Sequence, residues 1–403
     1  MADEPWLAVV GVGEDGLDGL SPAARSALAQ ASFVAGGRRQ LALVSPLQAE
    51  TYVWPSPIED ALDVIEARRG SPVCVLASGD PFFFGVGAML ARRFRASEMV
   101  VAPAPSAFSL AAARLGWSQQ DCALLSLHGR PLEAIVPHLQ PNARIVALSW
   151  DEATPTKLAT LLTARGMGRS RLTVCEALGG PRERLRSADA QGFSLETITA
   201  LNTIALEVVA DKNARVAPRA PGLPDDWFEH DGQITKRDIR AVTLSALAPR
   251  RGEMLWDIGA GSGSISIEWM LADPANIAVA VERNPERARR IVRNSLSFGT
   301  PRLSVVTGEA PQALNGLPPP DAVFIGGGAT RRTMIERAVE ALPSGGRLVV
   351  NAVTLETQSV CVGHRARYGG DLVQISIARA EAVGGFTNWR PAMPIVQWRL
   401  TKP

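Results

Sequence analysis

Twice along this chain an apolar, strand-like run leads directly into a cluster of glycines. "LAVVGVGEDG" carries Gly11-x-Gly13-x-x-Gly16, and "MLWDIGAGSG" carries Gly259-x-Gly261-x-Gly263. Glycine after a strand lets the main chain turn through conformations closed to other residues and lets a ligand come close to the backbone. In open α/β sheets such turns lie at the carboxyl ends of the strands, where ligands bind. A chain of 403 residues is too long for one ordinary domain and comfortable for two, so each cluster is expected to open a sheet of its own.

From Trp6 to about Ala210, short apolar runs ("WLAVVGV", "PVCVLAS", "RIVALSW", "RLTVCEAL") alternate with helical segments such as "SPAARSALAQA" and "ATPTKLATLLTARG". That alternation predicts an α/β domain with a largely parallel sheet. Asn213–Asp226 then holds Pro218, Pro221 and Pro224 with no hydrophobic period, and reads as a linker. A fresh series follows in "GEMLWDIG", "IAVAVE", "RLSVVTG", "DAVFIGG" and "GRLVVNAV", which predicts a doubly wound sheet. The expected division is a domain at 1–210, a linker at 211–221 and an unlike α/β domain at 222–403.

Basic and acidic side chains number 42 and 40, for a net charge of +2. With no basic stripe, nucleic acid is not an expected partner. Cys74, Cys122, Cys175 and Cys361 lie far apart with no CxxC pair, which suggests neither disulfides nor a metal site but buried thiols in a reducing compartment. The chain starts with Asp3 and Glu4 and has no basic n-region or long apolar stretch, so the expectation is a cytoplasmic protein without a membrane partner.

The first cluster matches the dinucleotide fingerprint in its letters but not in its setting. Ser21 as N-cap with Pro22 at the first helical position starts the helix several residues too late for its amides to meet a pyrophosphate. Glu14 and Asp15 would oppose a dianion, and no acidic residue ends "SFVAGGRRQLAL". In the second cluster Ser264 stands where the fingerprint needs its third glycine. Asp257 precedes that cluster, and Glu282 ends the next strand, where a carboxylate can accept both hydroxyls of a ribose. A glycine turn with no ligand is the alternative.

The second pattern resembles class I S-adenosylmethionine (SAM) methyltransferases. Together with "GQITKRDIRAVTLSAL", "GEAPQAL", "PDAVFIGGG" and "LPSGGRLVVNAVTLET", residues 222–398 resemble the precorrin C15-methyltransferase/decarboxylase family of cobalamin biosynthesis. The resemblance implies a Rossmann-like domain in which Thr235, Gly259, Ala260, Gly261, Ser262, Gly263, Glu282 and Ala310 touch SAM. Thr235 as the cap of a helix beginning at Lys236, and Ala310 as plain loop, stay open. In the first half, "LASGDPFFFGVG", "APAPSAFSLAAARLGW", "SLHGRP" and "VCEALGGPRERL" together resemble the class III tetrapyrrole methylase family, in its precorrin C5-methyltransferase branch. That implies two α/β subdomains with SAM between them, touched by Ser78, Gly79, Asp80, Ser106 and Ala107. Many members carry proline where this chain has Glu14. The Gly79-Asp80-Pro81 turn alone is common surface chemistry.

Both halves together resemble the fused, decarboxylating C5,C15-methyltransferases. The resemblance implies two SAM, one per domain, and a precorrin tetrapyrrole as substrate. Precorrin-6B would be methylated at C5 and C15 and lose its C12 acetate carboxylate, giving precorrin-8X. It also implies a homo-oligomer, tetrameric through the C-terminal domain. SAM-dependent methylation of another small molecule, with an accessory N-terminal domain, is the alternative. A polycarboxylate substrate calls for cations, and Lys236, Arg237, Arg240, Arg331, Arg332, Arg379 and Arg390 lie near the relevant loops. Arg331 and Arg332 are best placed, because they follow Gly326–Gly328 at a strand end; ordinary solvated arginines are the alternative. His230 is a candidate proton donor by position, or an idle residue. "FTNWRPAMPIVQW" could wall a site, form an edge strand or meet another subunit.

Overall fold

Two sheets build the first part of the molecule, and one large sheet with a small separate hairpin builds the rest. The computed structural model describes residues 5–403, so Asp3 and Glu4 lie outside it. The chain divides into a unit that ends at Val216 and a second made of Glu133–Pro137 and Ala217–Pro403.

The first unit opens with a parallel sheet of β1 (Leu7–Val12), β2 (Phe33–Gly36), β3 (Glu50–Val53), β4 (Val73–Ser78) and β5 (Met99–Ala102), in the order β3-β2-β4-β1-β5. Both faces of β1 are buried, by two apolar clusters, which is why its sequence reads as a continuous apolar run rather than an alternation. The helix Pro22–Gln30 begins where the sequence predicts: the Ser21 hydroxyl accepts from the Ala24 amide and Pro22 occupies the first position.

The second sheet of this unit holds β6 (Cys122–Ser126), β7 (Arg144–Leu148), β8 (Arg171–Glu176), β9 (Arg184–Asp189) and β10 (Asn202–Glu207), in the order β6-β7-β10-β8-β9. Here the expected parallel sheet is corrected. β6 and β7 run parallel, but β10 is antiparallel to β7 and β8, and β9 is antiparallel to β8. The connection from β8 to β9, Ala177–Glu183, is too short for the crossover a parallel pair requires. β9 is polar because Arg184 and Arg186 both clasp Glu176, which is buried.

The second unit holds β11 (Met254–Ile258), β12 (Ile277–Glu282), β13 (Ser304–Thr307), β14 (Ala322–Ile325), β15 (Arg347–Ala352), β16 (Asp371–Ile375) and β19 (Ile395–Thr401), in the order β13-β12-β11-β14-β15-β19-β16. The first five run parallel; β19 inserts antiparallel between β15 and β16. Helices cover both faces. Arg237–Leu247, Ser264–Ala272 and Pro285–Phe298 bury Leu244, Trp269 and Ile291 on one side, and Met334–Ala341 and Leu355–Tyr368 bury Ile335, Ala338 and Cys361 on the other. The segment "FTNWRPAMPIVQW" divides between two elements. Its first part is β18 (Phe386–Pro391), which pairs with β17 (Ala378–Val383) in a separate exposed hairpin, and its end enters β19, an inner strand rather than an edge.

The two units divide within the proline-rich stretch, and the chain on each side of the division is packed. Asp211 and Arg215 bond back to Gly166 and Arg165 in the first unit, while Ala217, Leu223 and Phe228 are buried in the core of the second. Prolines leave few donors there, and those of Gly222 and Leu223 end on the buried Glu268 carboxylate, at 2.6 and 2.9 Å. Cys74, Cys175 and Cys361 are unpaired and buried, and burial pushes the first two thiols up to about 12. No described helix is long and apolar enough to cross a membrane.

Candidate functional site

In the second unit the strand order reverses between β11 and β14, and the glycine cluster sits at that point. Gly259, Gly261 and Gly263 all have positive φ, at 71, 61 and 75°. A Cβ on Gly259 would stand 2.9 Å from the Gly327 amide nitrogen, and one on Gly263 2.7 Å from Ile291. The amides of Gly259 and Ala260 bond to the Val281 carbonyl, which joins the loop to the end of β12. At that end Glu282 is buried, and its carboxylate accepts from the Gly261 amide and the Asn284 amide, both at 2.9 Å. The loop and the acidic strand end thus form one hydrogen-bonded unit.

Asp257, in β11, is 1 % exposed. One oxygen accepts from the amide and hydroxyl of Ser266 at 3.1 and 2.6 Å, while Oδ1 has no partner, and neither does the buried hydroxyl of Ser262. Burial, with the Glu282 charge adding, pushes the Asp257 carboxyl up to about 6.

The segment before the helix Arg237–Leu247 lies against this loop, since the Gln233 carbonyl is 3.1 Å from a Cβ position on Gly261. Asn294 pins it: its amide donates to the Glu229 and Ser262 carbonyls and its carbonyl accepts from the Glu229 amide. His230 sits in this pinned turn, with Nδ1 accepting from the Gly232 amide at 3.0 Å. Thr235 does not cap the helix, which starts at Arg237 with Lys236 as its N-cap residue; the Thr235 carbonyl accepts instead from Arg240. Arg240 is neither a rim cation nor a solvated arginine. It is fully buried, bonded to Glu268, Asp225 and the Leu223 carbonyl. Ala310 is half-buried, two residues beyond Gly308, whose amide bonds the Glu282 carbonyl. Past β14, Arg331 pairs with Glu309, and Arg332 is exposed with no ion pair among the described residues. Arg379 and Arg390, on the hairpin, pair with Asp238 and Glu381.

The first unit converges differently. The ends of β1, β4 and β5 meet so closely that a Cβ on Gly11 would overlap the Gly79 carbonyl and stand 2.5 Å from the Ala104 amide nitrogen. Gly79 has φ +59°, and a Cβ there would be 3.0 Å from Ser106 Cα. The Ser106 hydroxyl caps the helix Ala107–Leu115 by accepting from Ser109 at 3.1 Å, so Ala107 presents the first turn of that helix. The helix packs on the second sheet through Phe108 and Ala111. Its capped end therefore joins the two subdomains at the glycine turn. Asp80 accepts from the Phe82 amide, and Ser78 is held by Arg39 and Gln40. Glu14 pairs with Arg39, and a Cβ on Gly180 would stand 2.5 Å from Glu14 Cβ.

A family described as tetrapyrrole (corrin/porphyrin) methylases matches residues 7–192, and a precorrin methyltransferase domain family matches residues 226–402. A precorrin-6Y C(5,15)-methyltransferase [decarboxylating] from Sinorhizobium sp is 57 % identical over 99 % of this chain and 97 % of its own length. The chain belongs to the precorrin-6Y C(5,15)-methyltransferase (decarboxylating) family. Its counterpart from Mycobacterium tuberculosis is 41 % identical over 98 % of this chain and 100 % of its own. A cobalt-precorrin-6B C(15)-methyltransferase (decarboxylating) from Salmonella typhimurium is 35 % identical over 40 % of this chain and 85 % of its own.

A precorrin-6Y C(5,15)-methyltransferase is a SAM-dependent enzyme, and the residues present fit that donor. Positive-φ glycines turn the main chain tightly at the strand end, and Asp257 Oδ1 and Ser262 Oγ are buried polar atoms without partners at the same loop. Gly180 and Asn294 were missed by sequence reasoning, which named Gly11 and Gly326–Gly328 without the close approaches at Gly11 and Gly327. Their importance lies in which atoms approach them across the fold, and no local pattern records that.

Proposed function

We propose that this enzyme methylates precorrin-6B at C5 and C15 with two SAM, one in each unit, and releases the C12 acetate carboxylate as carbon dioxide to give precorrin-8X. The observation that carries this reading is the presence of two glycine cradles of unlike construction, each at the carboxyl ends of parallel strands. C5 methylation is assigned to the first unit, C15 methylation and decarboxylation to the second. The Salmonella typhimurium relative, named for the C15 and decarboxylating steps alone, covers 40 % of the chain, which supports one unit carrying both.

SAM, when bound, supplies a methyl already activated on a sulfonium. The protein's work is then alignment and exclusion of water rather than strong-base chemistry. In the second unit Glu282 is fixed by two backbone amides, so its remaining lone pairs can hold a ribose diol without rearranging. The backbone of Gly259, Ala260, Gly261 and Gly263 with Thr235, Ala310 and Ser262 would complete that cradle; Gly79, Asp80, Ser106 and Ala107, with Ser78, would form the other. Arg332 and the Glu309-held Arg331 stand at the strand ends to meet substrate carboxylates. Decarboxylation breaks the bond to the carboxyl carbon, leaves the electron pair in the conjugated ring, and needs a proton at the product carbon. His230 accepts the Gly232 amide at Nδ1, which leaves Nε2 as the ring atom that would deliver that proton.

The hairpin β17–β18 exposes Val383, Phe386 and Trp389, and this supports a homo-oligomer, tetrameric through the second unit. A cytoplasmic location fits the unpaired thiols. The test uses full-length enzyme, precorrin-6B and SAM carrying a ¹³C methyl. Two labelled methyls and one carbon dioxide per tetrapyrrole support the reading; a single methyl, or none, refutes it.

A further inference from the structure

Three consecutive phenylalanines follow the Gly79-Asp80-Pro81 turn, and none is buried: Phe82, Phe83 and Phe84 are 46, 37 and 44 % exposed. Such a run in the open is unexpected for a loop at the end of an inner strand. The loop is built to hold it. The Asp80 carboxylate accepts from the Phe82 amide at 2.8 Å, and the Gly87 amide bonds the Pro81 carbonyl at 2.8 Å. A Cβ on Gly85 would stand 2.5 Å from the Pro81 carbonyl oxygen, so the turn admits no side chain there. Phe84 has φ +57°, a conformation that bulky residues rarely adopt and that tends to mark functional positions.

The rings are also braced. Phe83 and Phe84 lie 4.8 and 5.6 Å, centroid to centroid, from Phe108, which is buried on the helix that Ser106 caps. Across from them, on the loop after β6, the guanidinium of Arg130 stands 5.6 Å from the Phe84 ring. Arg130 is exposed and has no ion pair among the described residues. A rigid aromatic shelf with a free cation at its margin suits a flat conjugated ring bearing peripheral carboxylates. An aliphatic ligand would not need the faces, and a neutral one would not need the cation.

We propose that Phe83, Phe84 and Arg130 form the shelf that seats the tetrapyrrole beside the glycine turn of the first unit, the rings against the macrocycle and Arg130 on one of its acetate or propionate groups. This rests on the C5 assignment made above. The strain at Phe84 is then kept for the ring it presents.

The test compares full-length wild type with Phe84→Gly, Arg130→Gln and Arg130→Lys. Steady-state C5 and C15 methylation are followed by ¹³C label, S-adenosylhomocysteine binding by calorimetry, and unfolding by heat. The expected result is a KM for tetrapyrrole in C5 methylation raised roughly tenfold in Phe84→Gly and Arg130→Gln and partly restored in Arg130→Lys. S-adenosylhomocysteine affinity and carbon dioxide release stay unchanged. Phe84→Gly melts at or above the wild-type temperature, because glycine takes the positive φ freely. An unchanged KM overturns the proposal. So does loss of S-adenosylhomocysteine binding, which would put the rings against the donor's adenine, or a lowered melting temperature with every activity reduced, which would make Phe84 a packing residue. A wild-type chain that leaves C5 unmethylated would instead sink the C5 assignment, and the shelf with it.

Discussion

Asp257 carries a carboxylate where burial disfavours its charge. Its folded value, about 6, lies above the ordinary 3.8, so the folded state holds the proton more tightly than the unfolded one. Stability from this group is therefore present at low pH and is lost as pH rises from about 4 to about 6, by ~3 kcal/mol at most. Asp257→Asn should flatten that slope and melt no lower than wild type at pH 8, while weakening S-adenosylhomocysteine binding in the second unit. Thermal unfolding from pH 4 to 8, with calorimetry, checks both. A variant that loses stability at pH 8 and binds normally would make Asp257 a structural residue. The sequence shows this aspartate before the cluster, but not that one of its oxygens lacks a partner. Glu282 was legible because a strand's end and an acidic side chain coincide in the text. The role of Asn294 was not, because its partners, Glu229 and Ser262, lie far from it in sequence.

At the scale of elements, the strands that the sequence shows best are those buried on both faces. β1, β4 and β14 are nearly unbroken apolar runs, β11, β12 and β15 are apolar runs interrupted only by Asp257, Glu282, Arg347 and Asn351, and the glycine turns after β1, β4 and β11 follow from them. β9 reads as polar loop, because its alternate positions carry arginines that serve Glu176. β19 hides behind two prolines, and its antiparallel insertion depends on pairing with β15, which no local pattern reveals. The two units divide inside the proline-rich segment, whose composition reports a lack of helix or strand, not a lack of packing. The tightest element is the second glycine loop. Gly263→Ala should cost ~1–3 kcal/mol, since it forces a Cβ against Ile291 at a positive φ. It should lower S-adenosylhomocysteine affinity in the second unit and leave the first unit's site unchanged. An alanine variant with native stability and both sites intact would show that this loop tolerates side chains.

For the whole molecule, two proposals matter: that the two units carry out their chemistry independently and that the chain associates through the second. Phe386 and Trp389 are 85 and 69 % exposed on a hairpin that forms its own two-stranded sheet. Replacing both with aspartate should dissociate the proposed oligomer without lowering the melting temperature of the chain itself, as read by light scattering and calorimetry. An unchanged mass would place the interface elsewhere. The most direct measurement of the central claim is the stoichiometry of S-adenosylhomocysteine binding to the full chain. Wild type should bind two per chain. Gly11→Ala, which closes the first cradle against the Gly79 carbonyl, and Glu282→Ala, which removes the anchor of the second, should each bind one, and the double variant none. One molecule per wild-type chain, or loss of both sites in either single variant, would contradict the existence of two separate methyl-donor sites.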